Sequence, residues 1–232
     1  FKQLWERGLI YEDYKVVHFS WRLGTPLSNF EASLDDAYRE REDPSVTVKM
    51  RLEGEETPTY ILAWTTTPWT LPSNVALAVS DKVTYVLLER EEDGHPARYI
   101  LAKTLVGQHF REGTYRVLEE FTGDALQGRT YVPVFSYFLD KKAEGAFRVR
   151  LGDFVSDEDG SGIVHIAPAF GEDDFNLRKR DGFPLVNPVD DAGEFMQPVS
   201  DYVGVNVFDA NPLIVEQLRR EGTLFSTKTI TH

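Results

Sequence analysis

Trp64-Thr65-Thr66-Thr67-Pro68-Trp69-Thr70-Leu71-Pro72-Ser73-Asn74 is the stretch that decides how this chain is interpreted, because it crowds hydroxyl groups, two indoles and an amide into one short run. Pro68 lacks a backbone N–H and biases Thr67 away from helical conformations, so the preceding strand is expected to end at Thr65. The threonines then lie at a strand end or in a loop, where binding and catalytic residues concentrate. The sequence therefore predicts a functional site at this strand end.

The threonine hydroxyls are interpreted as positioning groups. A hydroxyl can both donate and accept, so three in succession can hold a carbonyl, a ribose hydroxyl and a water. No adjacent residue offers the base that would make one of them a nucleophile. The alternative is that threonine is simply a good strand residue. That alternative leaves Trp64, Trp69 and Asn74 unexplained.

A second stretch, Gly160-Ser161-Gly162-Ile163-Val164-His165-Ile166-Ala167-Pro168-Ala169-Phe170-Gly171-Glu172-Asp173-Asp174-Phe175, places a histidine on an apolar strand and three carboxylates beyond it. If the chain turns back between Ala167 and Gly171 and enters a helix, Asp173 and Asp174 lie in its first turn. One carboxylate can then face the strand end and bind an ammonium group, while His165 forms a wall and a hydrogen-bonding group.

Other interpretations of these residues remain open. His165 can be a satisfied core imidazole, and the carboxylates can serve as favourable charges at a helix N-terminus. A closed zinc site needs four ligands, and the remaining histidines show no matching spacing: His18, His95, His109 and His232. A Ser-His-Asp hydrolase is disfavoured because no serine lies in a Gly-x-Ser-x-Gly elbow.

The rest of the chain is dominated by short β-branched or aromatic runs broken by Gly, Pro and Asp, which predict strands. These runs are 46–52, 59–63, 75–79, 83–89, 99–102, 115–121, 147–154 and 162–166. Eight short strands predict a barrel. Helices are expected after Gly171 and at 209–220, a short helical piece at 103–108, and a polar turn at 157–162.

Composition excludes several classes of protein. The chain has 232 residues, of which 41% are hydrophobic, enough for a real core. No apolar run approaches the ~18–20 residues of a membrane span and no leader precedes the first residue, so we expect a soluble protein without a membrane partner. The absence of cysteine fits a reducing compartment, with the cytoplasm as default. A net charge of −13 argues against a long phosphate track, so any nucleic-acid contact is small or helped by another domain.

Both ends of the sequence suggest excision from a larger protein. Residues 1–9 are typical of the last turns of a helix ending at Gly8. Residues 223–232 are polar and rich in threonine, and are expected to close no periodic element. We therefore divide the chain into a lead-in at 1–45, a barrel domain at 46–222 and a return connection at 223–232.

The stretches at 64–74 and 160–175 resemble the editing domain of isoleucyl-tRNA synthetase. The related valyl and leucyl families share the Thr-Thr-x-Pro core but carry arginine where this chain has Thr67, so Thr67-Pro68-Trp69 favours the isoleucyl type. Residues 4–11 and 24–28 also resemble the lead-in to that domain, so the likeness spans the chain. The resemblance implies a mainly β fold with flanking helices (α+β), a β-barrel inserted into the Rossmann-type catalytic domain of a class I synthetase.

The same resemblance implies a proofreading hydrolase. Its substrates would be the 3′-terminal adenosine of tRNA(Ile) wrongly carrying valine, and valyl-adenylate, and its partner the catalytic domain of the parent enzyme. Isoleucine and valine differ by one methylene, worth only ~1–3 kcal/mol of discrimination in an apolar pocket, so a second sieve must admit valine and exclude isoleucine. No cofactor is expected in this segment.

Residue roles follow from the resemblance position by position. Asp174 is the expected partner of the substrate's α-amino group, while His165 and the run 64–67 supply the size filter. Thr65, Thr66 and Thr67 are expected to hold the ester carbonyl, the terminal ribose or the attacking water. The other expected substrate-binding residues are Trp64, Trp69, Asn74, Ala167, Phe170, Gly171 and Asp173, with Asn74 supporting the threonine loop.

The sequence departs from the family at 17–24, where many members carry cysteines of a zinc ribbon and this chain has none. No zinc is expected there. No ATP-binding signature of the parent's synthetic site is found in these residues either, so ligase chemistry is expected to lie outside this segment.

Two other functional classes stay open. The chain could be a non-catalytic module that docks a tRNA 3′ end, or an esterase acting on small aminoacyl compounds. Its basic clusters are short and are expected to be solvated surface: Lys141-Lys142, Arg178-Lys179-Arg180 and Arg219-Arg220.

Overall fold

The computed structural model describes residues 1–20, 22–34 and 40–231. Within these residues, ten strands form one hydrogen-bonded sheet. The sheet is curled into a half-barrel and helices flank it, which confirms the predicted mainly β class. Its strands are β3 (Glu42–Leu52), β4 (Thr59–Thr65), β5 (Ala76–Val79), β6 (Thr84–Glu92), β7 (His95–Ala102), β8 (Arg116–Thr122), β9 (Tyr131–Val132), β10 (Arg148–Leu151), β11 (Val164–Ile166) and β12 (Leu224–Thr231). A separate pair, β1 (Phe19–Ser20) and β2 (Thr25–Pro26), lies near the amino end.

β4 is central to the sheet and is buried on both faces. Ile61 and Ala63 point into the main core, whereas Leu62 belongs to a smaller core on the opposite face. A strand covered on both sides gains apolar burial from every residue, which explains its nearly continuous apolar sequence. β3 runs along one edge of β4, while β7 and β11 share the other edge.

The position of β11 brings the two diagnostic stretches together. β11 pairs parallel to β4, with Val164 opposite Trp64, and antiparallel to β5, with His165 opposite Leu77. The end of β4 and the residues after β11 therefore meet at one edge of the sheet.

Five α-helices are found in the described residues: α1 (Lys2–Glu6), α2 (Asn29–Ala32), α3 (Val106–His109), α4 (Glu172–Asp181) and α5 (Val207–Arg220). The expected helices after Gly171, at 209–220 and at 103–108 are confirmed, the last as a 3-10 turn (Lys103–Leu105) followed by α3. The helical start at 1–9 is confirmed by α1, and Gly8 follows it with a φ of +66°. None of the helices in the described ranges is long and apolar enough to cross a membrane.

The expectation that residues 223–232 close no periodic element is wrong. Leu224–Thr231 forms β12, which pairs antiparallel along β3 with Ser226 opposite Thr47 and Lys228 opposite Ser45. Its threonines suit an extended backbone, but most of its side chains are half-buried or exposed, so the strand lacks the apolar alternation that reveals a buried one. β3 also begins at Glu42, before position 46. The division into lead-in, barrel and return connection stays a prediction, and Trp21, residues 35–39 and His232 lie outside the described residues.

Gly162 is expected to be a sensitive position for stability. Its φ is +71°, and a Cβ there would lie 2.4 Å from the Cβ of Ala102. The left-handed backbone costs roughly 1–2 kcal/mol in a non-glycine residue and overpacking adds about 1–3 kcal/mol, so Gly162→Ala should lower the free energy of unfolding by about 2–5 kcal/mol.

Gly54→Ala is the matched control, because Gly54 has a φ of +80° and no heavy atom within 4 Å of its added Cβ. Urea unfolding should show about half the loss or less for the Gly54 variant, roughly the 1–2 kcal/mol of backbone strain alone. Equal losses in both variants would show that the contact with Ala102 is unimportant.

Candidate active site

A cavity of about 240 Å³ lies where β4 and β11 end. It brings together most of the predicted site residues, from both diagnostic stretches. Its lining consists of Trp64, Thr65, Thr66, Thr67, Thr70, Val164, His165, Ala167, Phe170, Gly171 and Asp174. We call it the site cavity.

A chain of hydroxyls follows one wall of the site cavity. The Thr65 hydroxyl accepts a hydrogen bond from the Thr67 backbone N–H at 3.1 Å and lies 3.3 Å from the Thr67 hydroxyl. The Thr67 hydroxyl in turn lies 3.4 Å from that of Thr70. Within the described part of the chain, the half-buried Thr66 hydroxyl makes no such bond. These hydrogen bonds orient the hydroxyls of Thr65 and Thr67. Thr66 also lines the site cavity, and its hydroxyl is available to a ligand there.

The local chain path explains this arrangement. β4 ends at Thr65, and a 3-10 helix (Pro68–Ser73) begins directly after Thr67 with Pro68 at its first position. Proline suits that position because its missing N–H would be unsatisfied there in any case. Thr70 lies three residues after Thr67, one turn of a 3-10 helix, and its hydroxyl donates to the Thr67 carbonyl at 2.9 Å.

His165 is a buried wall residue. Its Nε2 lies 2.8 Å from the Thr70 hydroxyl, and the residue is only 6% exposed to solvent. Because Thr70 donates its single hydroxyl hydrogen to Thr67, Nε2 carries the proton and donates to Thr70. Burial lowers the pKa of His165 to about 4, so the ring is neutral near pH 7. Nδ1 is sealed from solvent without a partner among the described residues, so the imidazole is placed to shape the cavity rather than to exchange protons with a water in it.

Asp174 is the acidic group of the site cavity. It lies in the first turn of α4, and its Oδ2 accepts the Ala167 backbone N–H at 2.7 Å. Burial raises the pKa of Asp174 to about 6 against the lowering effect of that hydrogen bond, and the charge of Asp173 raises it further. Above about pH 6 the ionised carboxylate therefore costs folding stability, and the cost disappears as the pH falls towards the ordinary pKa of 3.8. A cation bound in the cavity would offset that cost.

Gly171 allows the carboxylate its position. A Cβ on Gly171 would lie 3.0 Å from the Cγ of Asp174, tighter than ordinary contacts. Ala167 and Gly171 thus shape the site through their backbones, one by donating to Asp174 and the other by leaving room for it.

Three of the predicted substrate-binding residues lie outside the site cavity, so the cavity does not support direct contact with substrate for them. Asn74 is buried, accepting from the Tyr131 hydroxyl at 2.6 Å and donating to the Ala76 carbonyl at 2.8 Å. Asp173 is exposed beside Asp174. Trp69 lines a second, larger cavity of about 430 Å³ and reaches the site only through its edge-on contact with Phe170, at 4.7 Å between ring centroids.

Thr70 and Val164 line the site cavity although sequence reasoning assigned neither a role. The signal for Thr70 was its spacing of three from Thr67 beyond a proline that starts a 3-10 turn. Val164 lines the site cavity because the parallel register of β11 and β4 places it beside Trp64.

The arrangement suits water-directed hydrolysis rather than covalent catalysis. The hydroxyls lie beside a neutral, sealed imidazole and a carboxylate engaged with a backbone N–H, and none has a base placed to activate it. Among the residues that the structure describes, no group of three His, Asp or Glu side chains could hold a metal ion.

Known proteins similar to this chain give its family. The sequence model of tRNA synthetases class I (I, L, M and V) matches residues 1–217. The chain is 45% identical to the isoleucine–tRNA ligase of Corynebacterium diphtheriae over 247 residues and 45% identical to that of Bdellovibrio bacteriovorus over 234 residues. Each alignment covers 100% of this chain but only 23% and 22% of the relative, so the chain spans less than a quarter of those ligases.

Solved structures confirm the fold. GlLeuRS-CP1 matches with a TM-score of 0.62 and 13% identity, covering 79% of this chain and 98% of that chain. The P. knowlesi cytosolic leucyl-tRNA synthetase editing domain matches with a TM-score of 0.61 and 10% identity, covering 81% and 97%. The chain thus has the fold of these domains and corresponds in sequence to a segment of isoleucine–tRNA ligases, and it belongs to the class I tRNA synthetase family.

Proposed function

We propose that this chain is the proofreading segment of an isoleucine–tRNA ligase, which hydrolyses valine from tRNA(Ile) and from valyl-adenylate. The observation that carries the proposal is the site cavity itself: a half-buried carboxylate, a run of hydroxyls and a sealed histidine wall meet in one space. The 45% identity with isoleucine–tRNA ligases supports the choice of amino acid. The proposed partners are the aminoacylated 3′-terminal adenosine and the catalytic domain of the parent enzyme, and the cytoplasmic location stays a prediction.

Asp174 is proposed to bind the α-ammonium group of the substrate. Its Oδ2 is fixed by the Ala167 N–H, so the carboxylate is already oriented before a ligand arrives. A charge-assisted hydrogen bond in a water-poor site is stronger than a neutral one. Valine and isoleucine carry the same ammonium group, so this contact anchors the substrate without selecting it.

Size selection is assigned to the walls of the site cavity. His165 is held by its bond to Thr70 and by burial, and Trp64 lies across the strand pair from Val164. Packed protein interiors yield little to an extra methylene, and forcing one in costs typically 1–3 kcal/mol. The site is therefore expected to admit valine and reject isoleucine.

Hydrolysis is assigned to a water oriented by the threonines. An aminoacyl ester is already activated, so positioning the water and stabilising the developing oxyanion with fixed donors can supply most of the acceleration. Thr66 faces the cavity, and Thr65 and Thr67 are fixed by their mutual bonds.

The pH dependence of deacylation should report Asp174. Because burial raises its pKa to about 6, the carboxylate is charged at neutral pH and loses its charge, and with it the ammonium contact, as the pH falls through that value. After subtraction of spontaneous ester hydrolysis, kcat/KM for Val-tRNA(Ile) should fall below about pH 6, since this quantity reports the free enzyme. His165, with a pKa of about 4, should contribute nothing in this range. Asp174→Asn should lack the acid limb, and a wild-type profile that is flat between pH 5 and 7 would contradict the assignment.

Deacylation assays with Val-tRNA(Ile), Ile-tRNA(Ile) and a small valyl ester test the proposal against its alternatives. A full-length ligase carrying this segment should deacylate Val-tRNA(Ile) and spare Ile-tRNA(Ile). Binding of aminoacylated tRNA without turnover would instead identify a docking module. Turnover of the small ester alone would identify a general esterase.

A further inference from the structure

Trp64 lines two cavities. It contributes to the lining of the site cavity and to that of a smaller cavity of about 110 Å³. The smaller cavity is lined by residues of β3 and β12, by the end of α3 and by the loop before β11. Its lining includes His109, Gly160 and Lys228. A contact that fixes Trp64 in the smaller cavity therefore acts on a residue that also lines the site cavity.

Gly160 lies directly against the indole. A Cβ there would lie 2.7 Å from both Cδ2 and Cε3 of Trp64, and the φ of Gly160 is +69°. Only a residue without a side chain can bring its backbone this close. The loop at 157–162 therefore supports the ring of Trp64 through bare backbone.

His109 holds that loop in place. Its Nε2 lies 2.6 Å from the Gly160 carbonyl oxygen, and because a carbonyl only accepts, Nε2 is the protonated nitrogen that donates. The imidazole also packs on Phe225 of β12, at 6.0 Å between ring centroids. Burial lowers the pKa of His109 against the raising effect of its bond to Gly160, and nearby Lys228 lowers it as well. The neutral ring is thus held between β12 and the loop.

We propose that His109 is a positioning residue of the proofreading site: its hydrogen bond to Gly160 holds that residue against Trp64 and so fixes the cavity wall that excludes isoleucine. The inference rests on the proposed function, because Trp64 matters to selection only if the cavity selects. His109 lies outside both diagnostic stretches and is not among the residues lining the site cavity, so it acts through its contact with Gly160.

The test uses a full-length ligase with three variants. His109→Ala removes the donor, His109→Gln supplies an amide N–H for the same carbonyl, and His95→Ala is the control, since His95 is exposed at a hairpin end. We expect His109→Ala to reduce the ratio of Val-tRNA to Ile-tRNA deacylation by about tenfold, the effect of a small displacement of a positioned wall. His109→Gln should restore most of the ratio, and His95→Ala should match the wild type.

Acrylamide quenching of Trp64 fluorescence gives a readout independent of deacylation. The difference between each protein and the same protein carrying Trp64→Phe isolates the signal of Trp64. His109→Ala should make Trp64 more accessible, and His109→Gln should not.

An unchanged deacylation ratio in His109→Ala would overturn the inference, as would equal changes in the Ala and Gln variants, which would indicate a role in folding only. If the wild type deacylates neither tRNA, the proposed function fails. The quenching difference then decides alone whether His109 positions Trp64, and unchanged quenching would overturn the inference.

Discussion

Asp174→Ala is expected to reduce kcat/KM for deacylation of Val-tRNA(Ile) by about 10- to 150-fold, because a hydrogen bond to a charged group is worth about 1.5–3 kcal/mol. The carboxylate is the acidic group lining the site cavity, and it is half-buried there, so water is a poorer substitute for it as partner of the substrate ammonium than in free solution. Single-turnover deacylation with purified Val-tRNA(Ile) measures the loss.

Asp174→Asn separates the charge from the support that the side chain gives the backbone. The amide oxygen can still accept the Ala167 N–H that Oδ2 accepts in the wild type, so the turn before α4 keeps its hydrogen bond. The amide has no negative charge, so this variant should lose nearly as much activity as Asp174→Ala. If Asp174→Asn keeps wild-type activity, Asp174 supports the turn and does not bind the ammonium group.

His165→Ala should open the site to isoleucine. Removing the imidazole enlarges the site cavity by more than the methylene that distinguishes the two amino acids, so the steric basis for rejecting isoleucine disappears. Since one methylene is worth about 1–3 kcal/mol, the preference for Val-tRNA(Ile) over Ile-tRNA(Ile) should fall by roughly 10- to 200-fold, mainly through a gain of activity on Ile-tRNA(Ile).

Thr70→Val is the control for His165→Ala, because it removes the hydroxyl bonded to Nε2 while leaving the volume of His165 in place. It should retain most of the exclusion of isoleucine. If His165→Ala remains active on Val-tRNA(Ile) and still spares Ile-tRNA(Ile), the size filter lies elsewhere in the cavity. The comparison rests on the ratio of two rates in one protein.

Local sequence signals were sufficient for the strand end and the helix start that build the site. Pro68 ends the extended backbone after Thr65, and the acidic run after Gly171 starts α4, so the threonines and Asp174 could be placed on their elements from the sequence alone. That these elements share one cavity depends on the parallel pairing of β4 with β11, which no local pattern encodes. Only the resemblance to the editing domain predicted that the two stretches form one site.

The sequence was less informative where burial or pairing decides the structure. Asn74 belongs to the first diagnostic stretch, but its side chain is buried and accepts a hydrogen bond from the hydroxyl of Tyr131, which is distant in sequence. β12 was missed because a strand that is exposed along much of its length needs no apolar alternation. The strands predicted at 83–89 and 99–102 were too short, and the hairpin that joins β6 to β7 was not predicted, although Asp93 and Gly94, both with positive φ, are the residues that a two-residue turn requires.

The contact of His109 with Gly160 shows a further limit. The two residues are 51 positions apart, and neither a histidine near a short helix nor a glycine in a polar turn indicates that they meet behind Trp64. Such a contact follows only from the packing of α3 against the loop before β11.

The most direct test of the account is the affinity of a full-length ligase for two non-hydrolysable adenosine analogues, one carrying valine in amide linkage and one carrying the corresponding acyl group without its amine. The valyl analogue should bind at least about tenfold more tightly to the wild type, the effect of a charged hydrogen bond of about 1.5 kcal/mol, and the two should bind equally to Asp174→Asn. Equal affinity of the two analogues for the wild type would contradict the claim that the site cavity recognises an aminoacyl group through Asp174.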